Sequence, residues 1–158
     1  MIHNRTLPLL VLSALAFAAC SKQSTAAPES TMAPVAAAPA QRQKAPDNVT
    51  VGFVGIKDGD TVSSPFKVGF SVEGLKVANA GTFDPGTGHF HLIIDSALPP
   101  QDGPLPSNGH LMHYGKGQME TDLSLPAGSH TLQIEFADGS HVPFDPPVVS
   151  APITITVK

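Results

Sequence analysis

The C-terminal two thirds of the chain alternate apolar and polar residues with a period of two. Phe66, Val68, Phe70 and Val72, for example, are separated by polar or small residues. This alternation is typical of a strand that buries one face. The same pattern starts near Val49, His89, Met119, His130 and Ile153. The pattern therefore predicts six strands.

Pro- and Gly-rich turns separate these segments, and beyond the N-terminal segment no stretch has the apolar spacing of a helix. Residues 98–112 contain four prolines and supply either a seventh strand or a long, rigid loop. Short strands at this spacing, with no helices for parallel crossovers, favour a sandwich. We predict that residues 47–158 form an all-β domain, an antiparallel immunoglobulin-like β-sandwich of about seven strands.

The first 19 residues have the features of a signal peptide for export. Arg5 precedes an apolar run that is too short to predict a membrane span and that ends in small residues. Residues 20–46 are rich in Ala, Pro and Ser and show no apolar period, so we predict a disordered linker there. The predicted order is thus signal peptide 1–19, linker 20–46 and sandwich 47–158.

Cys20 is the only cysteine, and it follows the predicted signal peptide directly. The run Phe-Ala-Ala-Cys at residues 17–20 resembles the bacterial lipoprotein box, although Phe17 replaces the usual leucine. This resemblance implies that Cys20 is acylated and that Ser21 directs the protein to the outer membrane. Acyl chains hold a protein to a bilayer without spanning it. The alternative is a soluble periplasmic protein with an incidental cysteine.

The charge of the predicted sandwich limits its partners. Residues 47–158 contain five lysines, no arginine and twelve acidic residues, a net charge of −7. Because nucleic-acid binding requires a basic surface, we exclude nucleic acid as a partner. A single cysteine also excludes an internal disulfide framework and any metal site built from cysteines alone.

Six of the seven histidines lie between residues 89 and 141. Neutral imidazole is the commonest metal ligand at physiological pH. His89 and His91 lie on one side of a predicted strand, about 6.5–7 Å apart, while Phe90 faces the core. Both imidazoles can therefore contribute to a site on the other side.

The predicted topology groups five of these histidines, because alternate connections of a sandwich lie at the same end. The candidate metal ligands are His89, His91, His110, His113 and His141. A strand-edge histidine on its own is more often a hydrogen-bonding residue, and it is their grouping that favours a metal. His130 falls at the other end, where we predict a structural role.

The identity of the metal is left open between copper and zinc. Imidazole suits zinc and copper(II), whereas a nearby thioether favours copper(I). Met112 and Met119 are candidate thioethers, although the alternation places Met119 in the core. Asp95, Asp138 and Asp145 are candidate carboxylate ligands, and Asp138 is first predicted as a turn residue.

Four blocks of sequence resemble, in order, an exported bacterial domain family that has no assigned function, domain of unknown function 4399. The blocks are residues 88–95, 113–120, 126–132 and 141–148. The resemblance extends over about residues 86–157. Members of that family often carry histidine where Phe90 and Phe144 stand, so neither position is a candidate ligand. The resemblance implies a domain but no reaction.

Catalysis has little support in the sequence. There is no nucleophile elbow and no phosphate-binding glycine loop, and acylation would occupy Cys20. The His-x-His strand is similar to the copper site of copper–zinc superoxide dismutases, but that enzyme's disulfide is missing. We predict a non-enzymatic lipoprotein on the periplasmic side of the outer membrane that binds copper or zinc as a carrier, buffer or sensor. Its partners would be the lipid bilayer and a periplasmic protein. The alternative is a metal-free interaction or structural domain of the envelope.

Overall fold

The computed structural model describes residues 41–158, which form strands and connections only. No helix in this range is long and apolar enough to cross a membrane. The predicted signal peptide (1–19), the candidate acylation site Cys20 and the linker up to residue 40 lie outside the described residues.

Ten strands make up the described part of the chain. They are β1 (Thr50–Val54), β2 (Thr61–Val62), β3 (Phe66–Glu73), β4 (Lys76–Val77), β5 (Thr87–Ile94), β6 (Leu111–Tyr114), β7 (Glu120–Leu123), β8 (Gly128–Ala137), β9 (Pro143–Val149) and β10 (Ile153–Val157). The all-β prediction is confirmed. The six strands predicted from alternation correspond to β1, β3, β5, β7, β8 and β10.

The strands form two sheets. A three-stranded sheet has the order β1-β3-β7, and a seven-stranded sheet has the order β2-β10-β8-β5-β4, with β6 also paired to β5 and β9 to β8. The pairings are antiparallel except for β2 with β10 and β4 with β5, which are two residues long. This arrangement places β5 and β8, the two longest neighbours, in the middle of the larger sheet.

The core lies between the two sheets and consists of the apolar positions of the alternating pattern. Phe70 of β3 contacts Phe90 of β5 and Tyr114 of β6, with ring centroids 5.3 and 4.8 Å apart. Phe90 in turn packs edge-on against Phe136 of β8 at 5.0 Å. The contacts of Phe70 with Phe90 and Tyr114 hold the two sheets together as a sandwich, whereas the Phe90–Phe136 contact lies within the larger sheet.

Four of the ten strands, β2, β4, β6 and β9, were not among the six predicted from alternation. Residues 98–110 form no strand, because their prolines cannot donate ladder hydrogen bonds, and the next strand, β6, begins only at Leu111. Conversely, β9 escapes the pattern because Pro143, Pro146 and Pro147 interrupt its alternation. This strand pairs with β8 across a register shift between Phe136 and Ala137, an irregular pairing in which proline is tolerated.

The described end of the predicted linker is ordered against β9. The backbone N–H of Asp145 donates to the carbonyl of Gln43, and the N–H of Ala45 donates to Asp145, both at 2.8 Å. Ala45 is buried, and the Arg42 side chain bonds to the carbonyl of Pro143 at 3.2 Å. The folded body therefore begins before residue 47.

The outer face of the larger sheet is covered. All eight residues of β5 are buried, although only alternate ones face the other sheet. Residues 95–110, hereafter the covering loop, run between β5 and β6, and Leu105 within it is buried. The N–H of Leu105 donates to the carbonyl of His141 at 2.8 Å, which ties this loop to the β8–β9 turn. The side chains of β5 on this face are consequently removed from water.

Candidate metal centre

Four histidines meet on the outer face of the larger sheet. Each offers one ring nitrogen, and these nitrogens all lie within 4.8 Å of one another. They belong to β5, β6 and the turn between β8 and β9. The members, hereafter the histidine cluster, are His89, His91, His113 and His141.

Strand pairing brings the first three together. His89 and His91 are two residues apart in β5 and so share a face. His113 of β6 lies directly opposite His91 in the antiparallel ladder. The rings of His91 and His113 stack with centroids 5.2 Å apart, as expected for a direct cross-strand pair. These three positions are therefore fixed by the register of β5 and β6 rather than by loops.

The fourth ring comes from a tight turn. His141 has a φ of 63°, which is uncommon for a residue other than glycine. The carboxylate of Asp138 holds this turn by accepting hydrogen bonds from the N–H groups of Ser140 and Val142, at 2.8 and 2.9 Å. The turn points the His141 ring toward His113, and their Nε2 atoms are 3.1 Å apart. The prediction that Asp138 is a turn residue is confirmed.

The two inner rings have no hydrogen-bond partners. His89 and His91 are fully buried, and neither ring nitrogen of either residue has a partner among the described residues. A buried polar group without a partner costs about 1–3 kcal/mol. Native proteins therefore rarely leave such groups unpaired without a functional reason. Four orphaned nitrogens in one place indicate a site built for a ligand.

Burial keeps three rings of the cluster neutral. It lowers the pKa of His89 to about 4, and the nearby His141 and His113 add to the effect. Burial lowers the pKa of His91 to about 2, assisted by the other three histidines. The pKa of His113 is also lowered, first by burial and then by His141. At neutral pH the rings of His89, His91 and His113 thus have free lone pairs, as a metal ligand requires.

Glu135 is a part of this face that the sequence analysis missed. It lies directly opposite His91 in the β5–β8 ladder and is fully buried. Neither carboxyl oxygen has a hydrogen-bond partner of normal geometry among the described residues, although Gln101 is close. Burial raises the pKa of Glu135 to about 7, against smaller opposing effects of Gln101 and Arg42. The alternation in β8 does place Glu135 on the outer face, but nothing in the sequence indicated that this face is covered.

His110 does not join the cluster. The β5–β6 register places His113 opposite His91, and the carbonyl of His110 accepts from the N–H of Ile94, at the far end of β5. Ile94 is five residues from His89, or about 16 Å along a strand. The His110 ring instead contacts the carbonyl of Ile94 through Nδ1 at 3.0 Å. The expected meeting of five histidines is therefore corrected to four.

The remaining histidine of the sandwich has the structural role predicted for it. His130 bonds to the carboxylate of Asp95 through Nδ1 at 2.7 Å and to the carbonyl of Pro126 through Nε2 at 3.0 Å. The bond to Asp95 is the main cause of its raised pKa. Asp95 is thus engaged elsewhere, and Asp145 pairs with Arg42 at 3.5 Å. Neither carboxylate belongs to the cluster.

The methionines do not contribute to the cluster face. Met112 alternates with His113 in β6 and lies opposite Leu92 of the core. Met119 was predicted to be in the core, but it is 52% exposed. It lies just before the first residue of β7, Glu120, and therefore outside the strand. The described donor set is therefore imidazole nitrogen, without the thioether that would favour copper(I).

The cluster is closed on one side and open on the other. His89 and His91 are buried, His141 is half-buried and His113 is exposed. A cavity of about 120 Å³ adjoins the rings and is lined by Leu105, Pro106 and Leu111 together with three of the histidines. An ion would therefore reach the two inner rings from the side of His113 and His141.

Gly115 makes room for the His113 ring. A Cβ at this position would overlap the Cε1 and Nε2 atoms of that ring. We expect Gly115→Ala to turn His113 toward solvent and to weaken metal binding by about 10–100-fold, as changes to ligand-orienting residues do. Metal titration of both proteins measures this. Gly109→Ala is the matched control, because a Cβ there would meet no atom within 4 Å beyond the adjacent residues. Equal affinities of Gly115→Ala and wild type would contradict the expectation.

One known family matches this chain. The sequence pattern of the family described as "domain of unknown function (DUF4399)" matches residues 68–158, more than half of the chain. The chain belongs to the DUF4399 family. A comparison with curated proteins finds no significant match. The matched residues include all four histidines of the cluster, so the site lies within the DUF4399 domain itself.

Proposed function

We propose that this DUF4399 protein binds a transition metal ion, copper or zinc, through the histidine cluster. The observation that carries the proposal is the convergence of four imidazoles, two of which are buried with all their ring nitrogens unpartnered. A coordinated ion would satisfy one nitrogen of each ring. The protein would then serve as a carrier, buffer or sensor of the ion rather than as a catalyst.

The spacing of the nitrogens supports a single ion. Four ligands at the usual zinc–nitrogen distance of 2.0–2.1 Å in a tetrahedron lie about 3.3 Å from one another. His113 and His141 already have nitrogens at 3.1 Å, and the largest separation in the cluster is within 4.8 Å. Small ring rotations therefore suffice to close the site, and the more exposed His113 and His141 have room to make them.

The location we propose follows from the sequence. A signal peptide and an acylated Cys20 would tether the domain to the periplasmic side of the outer membrane, with residues up to about 40 as the spacer. A lipid anchor confines the domain to the bilayer surface. A metal carrier or sensor held there would exchange its ion or its signal with a periplasmic protein partner.

Removal of the two inner ligands tests the proposal. We expect the full chain, purified without added chelator, to retain copper or zinc close to one ion per chain by native mass spectrometry. His89→Ala/His91→Ala should lose the ion, since two of the four ligands are gone. His110→Ala is the control, because its ring lies outside the cluster and it should retain the ion. A wild-type protein that binds neither metal would refute the proposal.

The alternative is a metal-free interaction or structural domain of the envelope. The contact between His113 and His141 at 3.1 Å favours it, because one ring can donate to the other and so join β6 to the β8–β9 turn. This alternative leaves the nitrogens of His89 and His91 without partners, which is why we rank it second. It predicts that chelator treatment leaves the melting temperature unchanged.

A further inference from the structure

The most unusual residue outside the histidine cluster is Glu135. It combines full burial with two carboxyl oxygens that lack hydrogen-bond partners of normal geometry among the described residues, although the Gln101 side chain is close. An ionisable group in such a position costs folding free energy unless something compensates it. The cluster described so far does not use this carboxyl group.

The position of Glu135 relates it to one ligand in particular. Glu135 and His91 are direct cross-strand partners on the same face of β8 and β5. The Cβ atoms of such partners lie about 4.5–5.5 Å apart, so a glutamate side chain can reach the facing ring. Both nitrogens of His91 also lack partners. The Glu135 carboxylate is an acceptor and the His91 ring carries an N–H donor, and both of these neighbouring groups lack a partner in the described part of the chain.

Metal binding would give both Glu135 and His91 the partners that they lack. An imidazole that binds a metal through one nitrogen carries its proton on the other, and that N–H is usually donated to a carboxylate or carbonyl. The carboxylate also places a negative charge beside the ion. Since the Coulomb energy is proportional to the charge of the ion, a divalent ion gains twice as much from it as a monovalent one.

We propose that Glu135 is a positioning residue that accepts the outward N–H of His91 and makes the site selective for divalent over monovalent ions. This inference rests on the proposed metal-binding function and specifies its substrate class. Glu135 touches the ion only through His91. In the loaded protein its carboxylate would fix the orientation of the His91 ring and balance part of the positive charge.

Competitive titration with Zn²⁺ and Ag⁺ tests the selectivity in the full chain. We expect Glu135→Gln, which keeps the shape but removes the charge, to weaken Zn²⁺ binding by about 10–100-fold. Ag⁺ binding should weaken by a clearly smaller factor, so the ratio of the two affinities falls. Glu120→Gln is the control, because it removes the same charge from an exposed carboxylate near Lys67. That variant should leave both affinities unchanged.

The outcomes separate this inference from the function beneath it. Equal losses for the two ions, or no loss, would overturn the role of Glu135 while leaving the metal site intact. A wild-type protein that binds neither ion would overturn both proposals. A merely structural role would not change the ratio of the two affinities.

A measurement on the wild type covers the case in which Glu135→Gln does not fold. In Zn²⁺-loaded protein labelled with ¹⁵N-histidine, the non-ligating N–H of His91 should be shifted downfield and protected from solvent exchange. His113 is exposed and supplies the internal comparison. An outward N–H of His91 that exchanges as fast as that of His113 would overturn the proposal.

Discussion

Replacing His91 by leucine is expected to stabilise the metal-free domain by about 1–3 kcal/mol. Both ring nitrogens of His91 are buried without partners, so the wild type bears the cost of desolvating them. Leucine has a similar volume and no polar atoms, and exchanging a buried unpaired polar group for an apolar one of similar shape is neutral to stabilising. The same change should lower metal retention, because it removes one of four ligands.

Denaturant unfolding of chelator-treated protein at pH 7 measures the effect. His130→Leu is the matched control, since both nitrogens of His130 are bonded, to Asp95 and Pro126. That substitution should destabilise the domain by breaking both bonds, although Asp95 keeps the hydrogen bond that it accepts from the backbone N–H of Thr131. If His91→Leu destabilises the domain as much as His130→Leu does, the His91 ring has hydrogen-bond partners in solution, and the expectation is wrong.

This contrast gives the histidine cluster a physical meaning. A core optimised for stability alone would place apolar side chains at the positions of His89 and His91. Residues that cost folding free energy persist where function requires them, and this is the general trade-off between stability and activity. The inner pair, with its unpaired nitrogens, is therefore better evidence for a ligand than the exposed His113 would be on its own.

The strand pattern was predictable because it depends on local alternation. Phe66, Val68 and Phe70 face the core of the folded domain as their period of two requires. The strand β9 was not predictable in the same way, because three prolines break its pattern and only pairing with β8 supports it. Local propensity therefore fails where tertiary context determines the strand.

The sequence predicted most residues of the site but not the contacts that bring them together. Sequence reasoning brought the histidines together through connections at one end of a sandwich. In the structure, His91 and His113 meet as cross-strand neighbours, and His141 joins them from a turn held by Asp138. Register depends on which residues pair, which one sequence does not specify when a long loop intervenes. That is why the sequence prediction included His110 among the ligands, although it lies beside the far end of β5, and why it missed Glu135.

Acid should destabilise the metal-free domain strongly below pH 6.5. The pKa values of His89 and His91 are lowered to about 4 and about 2, from 6.5 in the unfolded chain. Near pH 5 the unfolded chain therefore binds about two protons more than the folded one at these residues. Stability that depends on a lowered histidine pKa is present above pH 6.5 and is lost as the pH falls.

Glu135 acts in the opposite direction over part of this range. Its pKa is raised from 4.5 to about 7, so between these values the folded protein binds one proton more than the unfolded chain. Summed over His89, His91 and Glu135, the net difference between pH 6.5 and 4.5 is about one proton in favour of the unfolded state, while the lowered pKa of His113 and the raised pKa of His130 act in opposite directions. This corresponds to about 1.4 kcal/mol per pH unit, or about 3 kcal/mol across the interval. Such a loss is a large part of the 5–15 kcal/mol typical of a domain.

Guanidinium unfolding of chelator-treated wild type and His91→Leu at pH 4.5, 5.5, 6.5 and 7.5 tests this account. The wild type should lose stability steadily between pH 6.5 and 4.5. His91→Leu should depend on pH clearly less there, because the single proton of His89 is then offset by that of Glu135. Identical slopes for the two proteins would contradict the assignment of the effect to the inner rings. If the stability of His91→Leu depends less on pH than that of the wild type, the inner histidines set the lower pH limit of the metal-free fold. We infer that these same residues are the deepest metal ligands.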